Sequence, residues 1–147
     1  MNKKLTILTG VALIAALLFT GVQTVYAHEA HIHVDIDIKP GSYPNAINIK
    51  NNGVVPIALL GSAAVDVYGV DVSTVEFGPM HHDMHDGGAS PLRYAYEDAN
   101  GDGYVDVLFY FETRAIGLQP GDTEACLHGE LIAGGHFCGH DTVKVIG

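Results

Sequence analysis

The sequence predicts an all-β chain, an antiparallel β-sandwich of seven or eight strands with Ig-like or jelly-roll-like connections. Two patterns carry the prediction. No stretch holds its apolar residues at a helical period, whereas alternation with period two recurs along the chain. Glycine and proline, 18 and 6 of 147 residues, cut the chain into short segments at turns.

The elements follow in order. In "HIHVDIDIK" Ile32, Val34, Ile36 and Ile38 face one way, while His31, His33, Asp35 and Asp37 face the other. "PGSYPN" (40–45) reads as a turn, "AINIK" (46–50) as a strand and "NNG" (51–53) as a tight turn. "VVPIALL" (54–60) reads as a strand whose Pro56 places it at a sheet edge or on a bulge. Residues 61–73 are mixed, with one helical turn expected near Asp71, Val72 and Ser73, and "TVEFG" (74–78) is a strand. Residues 79–92 form the longest loop. "RYAYE" (93–97) and "YVDVLFYFET" (104–113) are strands on either side of an acidic loop. "TEACLHGELI" (123–132) and "TVKVIG" (142–147) complete the sheets, with "AGGHFCGHD" expected as a loop between them.

The domain itself is expected to occupy 28–147, because residues 1–27 have the form of a secretory signal peptide. Lys3 and Lys4 precede an apolar run from Val11 to Phe19, and Val25 and Ala27 put small residues at the −3 and −1 places of a cleavage site. That run is short of the ~20 residues of a membrane span, and no other segment is long enough. The expected location is therefore secreted, extracellular or periplasmic. Losing Lys3 and Lys4 with the leader takes the formal charge from −10 to −12. Such a chain repels nucleic acid and anionic membranes and attracts cations.

Cys126 and Cys138 are the only cysteines. In an exported chain an even pair reads as a disulfide, here closing a loop of about 13 residues for ~3 kcal/mol. A two-cysteine metal site and a catalytic cysteine are the other readings of the pair, and the spacing is not the close one of zinc sites.

The acidic loop carries the clearest chemistry. In "DANGDGYVD" (98–106) oxygen ligands stand at places 1, 3 and 5, namely Asp98, Asn100 and Asp102. Gly103 permits a sharp turn at place 6, Tyr104 offers its backbone carbonyl at place 7, and Asp106 stands at place 9. An oxygen-rich wrap of this kind suits Ca²⁺, with its 6–8 oxygen ligands, better than Mg²⁺. Three carboxylates within nine residues repel one another unless a cation is present. A helix–loop–helix calcium site needs a bidentate Glu at place 12, where this chain has Phe109. Val107, Phe109 and Phe111 then alternate as a strand does, so the loop joins two strands and Asp106 must close it.

This pattern is similar to the calcium loops of integrin-type β-propellers and resembles the half-loops of dockerins and thrombospondin repeats. A wider likeness rests on "VDIDIKPGSYPNAINIKNNGVVPIALLGS", "VDVSTVEFGP", "EDANGDGYVDVLFYFETRAIGL" and "GDTEACLHGEL" with the second cysteine. Together they resemble a secreted bacterial β domain marked by an "IDIKPGS" start and an "EDxNGDG" loop. The likeness spans nearly all of 34–146 and implies a secreted β-sandwich with bound calcium and a Cys126–Cys138 bridge. It implies no particular activity. "MHHDMHD" (80–86) departs from that pattern.

Nine histidines form a further group. His28, His31 and His33 stand near the expected mature N-terminus, and His81, His82 and His85 stand with Met80 and Met84 in the long loop. Both sets are candidate copper or zinc ligands, set against the reading of solvated polar residues. His128, His136 and His140 read as surface or hydrogen-bonded residues. Asp35 and Asp37 are candidate ligands of a second calcium, completed by Glu97 or Asp83, or else an acidic strand face that discourages edge pairing. Tyr43, Tyr68, Tyr94, Tyr96 and Tyr110 are candidates for stacking on sugars, although Trp is absent.

No nucleophile elbow, zinc-protease motif or phosphate-binding loop occurs, so the prediction is a non-catalytic protein. The expected function is extracellular binding or assembly with calcium in a structural role. Its partners would be other copies of itself, as in a filament or matrix, or an extracellular glycan or peptide, as in an adhesion module. Copper or zinc handling is the alternative.

Overall fold

The computed structural model describes residues 30–80 and 88–147. Ten strands occur among them: β1 His31–His33, β2 Ile36–Ile38, β3 Ala46–Asn48, β4 Val54–Leu59, β5 Val70–Pro79, β6 Arg93–Glu97, β7 Asp106–Glu112, β8 Glu124–Leu131, β9 His136–Thr142 and β10 Lys144–Ile146. They form two four-stranded sheets, ordered β1-β9-β8-β5 and β2-β4-β7-β6, and a two-stranded sheet of β10 and β3. The protein is thus all-β, as its alternation predicts.

The two large sheets face each other across an apolar core. On one inner face, Val55, Ile57 and Leu59 of β4 pair with Phe111, Phe109 and Val107 of β7. Each of the six is at most 5% exposed. Phe77 of β5 meets Phe111 across the gap at 5.3 Å between ring centroids, a packing distance for aromatic pairs. Val75, Leu127 and Phe137 fill the opposite face. Fully burying one such side chain stabilises by about 1.5–3 kcal/mol, so this layer dominates the favourable side of folding.

Several expectations change. Two pairs are parallel, β1 with β9 and β10 with β3, where an antiparallel arrangement was expected throughout. The single run of alternation in 31–38 divides between the two sheets: β1 joins β9, and β2 joins β4. The chain crosses over between them at Val34 and Asp35. Gly139 on β9 makes room, since a Cβ there would meet the Val34 carbonyl oxygen at 2.5 Å and Ile36 Cγ2 at 2.8 Å. Pro56 lies in an interior strand. β2 covers β4 only from Ile57 to Leu59, so Pro56 needs no ladder donor on that side, and its carbonyl accepts from the Lys39 N–H at 2.9 Å. The helical turn is a 3₁₀ turn at Val67–Gly69, earlier than expected, capped by Asp66 accepting from the Tyr68 N–H, and 71–73 belong to β5. "AGGHFCGHD" contains all of β9 but its last residue, Thr142, and β9 is an interior strand. Among the described residues no helix is long and apolar enough to cross a membrane.

Candidate metal loop and the histidine face

The acidic loop closes the β6–β7 hairpin, and the pair Glu97 and Asp106 stands at its base. Its side-chain oxygens turn inward onto the loop's own backbone. Asp98 Oδ1 accepts from the N–H groups of Gly101 and Asp102 at 2.7 and 3.2 Å, and Oδ2 from Gly103 at 2.9 Å. Asn100 Oδ1 accepts from Asp102 N–H at 3.1 Å, and Asp102 Oδ1 from Tyr104 N–H at 2.9 Å. The Asn100 amide donates to Asp102 Oδ2 at 3.1 Å. Gly101 and Gly103 take φ of 74° and 90°, the left-handed region that lets a chain coil this tightly. Asp98, Asn100, Asp102 and Tyr104 are all exposed.

Asp106 is different. It is fully buried, on the face of β7 away from the core aromatics. Oδ1 accepts from the Gly61 N–H and Oδ2 from the Ala99 N–H, each at 2.8 Å. It therefore ties the start of the acidic loop to the segment after β4. Gly61 is a residue sequence reasoning missed: a Cβ there would run into the Val105 carbonyl oxygen. A lone glycine 45 residues from its partner leaves no local signal.

The donor chemistry fits a hard cation. Asp98 and Asp102 bring carboxylates and Asn100 an amide oxygen, and Tyr104 lies in the same coil with its carbonyl. A carboxylate oxygen that accepts one N–H keeps a further lone pair for a metal. No Lys or Arg occurs from 94 to 113 to offset these charges. Among the described residues no three His, Cys, Asp or Glu side chains converge to hold an ion. The loop's set differs in kind, because it counts amide and carbonyl oxygens beside its carboxylates.

Asp35 and Asp37 are not brought to Glu97. Asp37 lies on β2 and Glu97 on β6, opposite edges of one sheet. Asp37 faces Asp141 instead, and burial, then repulsion from Asp141, raises its pKa. Asp141 Oδ2 in turn accepts from the Ile38 N–H at 3.1 Å and the Asn45 amide at 2.9 Å. The other candidate partner, Asp83, lies outside the described residues, as do His28, His81, His82, His85 and the expected leader.

The remaining histidines assemble on the outer face of the β1-β9-β8-β5 sheet. His31 and His33 of β1 run beside His136, Cys138 and His140 of β9. His128 of β8 is the register partner of Cys138, and Glu76 of β5 that of His128. The rings of His31 and His136 are 5.7 Å apart, and those of His33 and His140 5.3 Å. His128 Nε2 lies 3.3 Å from Glu76 Oε2. A hollow of about 240 Å³ lies over His31, His128, His136, Glu76 and Glu130. A second, of about 320 Å³, lies over His31, His33, Cys138, His140 and Met80.

The two cysteine sulfurs lie 3.0 Å apart as thiols on adjacent strands. Burial, then the contact with Cys138, pushes the Cys126 thiol up to about 12. Three of the five named tyrosines also come together. Tyr68 and Tyr96 rings are 4.6 Å apart, and Tyr94 meets Tyr96 edge-on at 5.8 Å. Tyr94 and Tyr96 pair with Phe109 and Val107, so they extend the apolar face past the sandwich edge, where they remain 47% and 37% exposed. Tyr110 lies under the Arg93 guanidinium at 3.6 Å, and Tyr43 stands apart, 92% exposed. Comparison with family models, curated proteins and solved structures finds no significant match, so the reading of these sites rests on their own chemistry.

Proposed function

We propose that the chain is an exported, non-catalytic β-sandwich that binds calcium at 98–106 and acts outside the cell by binding or assembly. The carrying observation is the inward-turned oxygen set of Asp98, Asn100 and Asp102 in a hairpin loop whose flanking sequence holds no Lys or Arg from 94 to 113. Calcium has a structural role here: it offsets the carboxylate repulsion and stiffens the coil. Asp106 supports the site from below by fixing Ala99. The Cys126 and Cys138 sulfurs, adjacent on β8 and β9, close into a disulfide in an oxidising compartment.

The test is thermal and urea unfolding with CaCl₂, MgCl₂ or EDTA. Extracellular calcium modules bind at ~10⁻⁴–10⁻³ M. At about 10 mM calcium, linkage then adds about 1.4–2.7 kcal/mol, which Asp102→Ala removes. Equal stability in calcium and EDTA overturns the reading. Electron microscopy of the secreted protein with and without calcium distinguishes assembly from ligand binding.

The tyrosine cluster favours one form of the binding reading. Tyr68, Tyr94 and Tyr96 form a half-exposed aromatic surface beside the β6 end of the loop, suited to the apolar face of a sugar ring or an extended peptide. Tyr96→Ala should abolish glycan or peptide capture if that surface is used, and unchanged capture rules it out.

A further inference from the structure

We propose that His33 and His140 form a two-imidazole site for a borderline divalent transition-metal ion, the class of Ni²⁺, Cu²⁺ and Zn²⁺, on the β1/β9 edge. The site is separate from the calcium loop and draws on residues that sequence spacing does not connect.

The spacing of the two rings matches that of two ligands on one ion. A metal–imidazole bond is about 2.0–2.1 Å, which puts the ring centroid about 3.2 Å from the metal. Two such rings at a tetrahedral angle have centroids about 5.2 Å apart, and at a trigonal angle about 5.5 Å. His33 and His140 stand at 5.3 Å with their planes tilted by 51°. Two positions for water or a further ligand remain. Both side chains are exposed, so an ion can enter and the imidazoles need little desolvation.

The frame holds them there. Parallel pairing of β1 with β9 sets His33 beside Cys138, and the alternation of β9 puts His140 on the same outer face two residues on. The Val34 N–H donates to the Cys138 carbonyl at 3.0 Å and fixes the end of β1 next to His33. The paired strands fix both Cα positions, so binding has only the side-chain rotamers left to order. The hollow of about 320 Å³ over the pair is lined also by Met80, a thioether residue that suits the softer members of the class. Imidazole ligands exclude calcium and magnesium from the same place.

Equilibrium dialysis of the mature chain against NiCl₂ and ZnCl₂ tests this, with zinc titration followed by NMR of the histidine rings. The expected result is that the rings of His33 and His140 shift together. His33→Ala and His140→Ala should each weaken that site by roughly tenfold or more, because the second imidazole is supplied intramolecularly. Asp102→Ala should leave it intact, which separates its failure from that of the calcium reading. A triple variant His81→Ala, His82→Ala, His85→Ala should also retain it. The proposal is overturned if the two single variants, folded by circular dichroism, bind as the parent does, or if binding vanishes in the triple variant alone.

Discussion

Asp106 stands at the last ligand place of the proposed calcium loop, yet it is fully buried and holds two backbone N–H groups. Asp106→Ala therefore separates a latch from a ligand. A hydrogen bond to a charged group contributes about 1.5–3 kcal/mol, and both bonds here are short at 2.8 Å. Their loss costs about 3–6 kcal/mol, and the N–H groups of Gly61 and Ala99 lose their acceptor. A domain of this size has about 5–15 kcal/mol in total, so the variant is marginal or unfolded. Asp106→Asn keeps one acceptor oxygen but turns an NH₂ toward a donor, and it should fall between. The assay is urea unfolding followed by circular dichroism in EDTA, where no calcium contributes. Asp102, by contrast, is exposed, and Asp102→Ala should change stability in EDTA by less than about 1 kcal/mol. If Asp106→Ala costs less than about 1 kcal/mol in EDTA, the latch is refuted.

Asp37 has a raised pKa in the folded state, so its charge opposes folding above that value, and the penalty is relieved as pH falls through it toward the ordinary carboxylate range. Asp37→Asn should raise stability at neutral pH and remove that acid-side relief. In an NMR titration, Asp141→Asn should bring Asp37 only partway back, because burial is the larger cause; full return would show that repulsion dominates. Protein exported to an oxidising compartment should resist alkylation at Cys126 and Cys138 until reduced, and reduction should cost ~3 kcal/mol in urea unfolding. Free thiols in freshly exported protein would refute the bridge.

The parts of this molecule legible in its sequence are those whose cause is local. β6 matches "RYAYE" residue for residue, and the hairpin was readable because Val107, Phe109 and Phe111 alternate within one strand. β9 was not readable, since its inward positions include one apolar side chain, Phe137, and a glycine at 139. That glycine weakens the strand signal for the same reason it is needed: the chain crosses between sheets over it. The run 31–38 misleads in the opposite way, because alternation continues while the hydrogen-bonding partner changes. Site residues divide along the same line. Asp98, Asn100 and Asp102 make their hydrogen bonds within their own loop, so their clustering follows from spacing alone. His33 and His140 meet across more than a hundred residues, and Asp106 is bound by Gly61 from another segment. The consequence for the proposed calcium response is directional. Asp98, Asn100 and Asp102 form an exposed lip on which an ion can act, whereas Asp106 joins that lip to the body through Ala99. An ion at the lip would thus stiffen the β6–β7 end against a fixed anchor, and the tyrosines of β6 lie at that end.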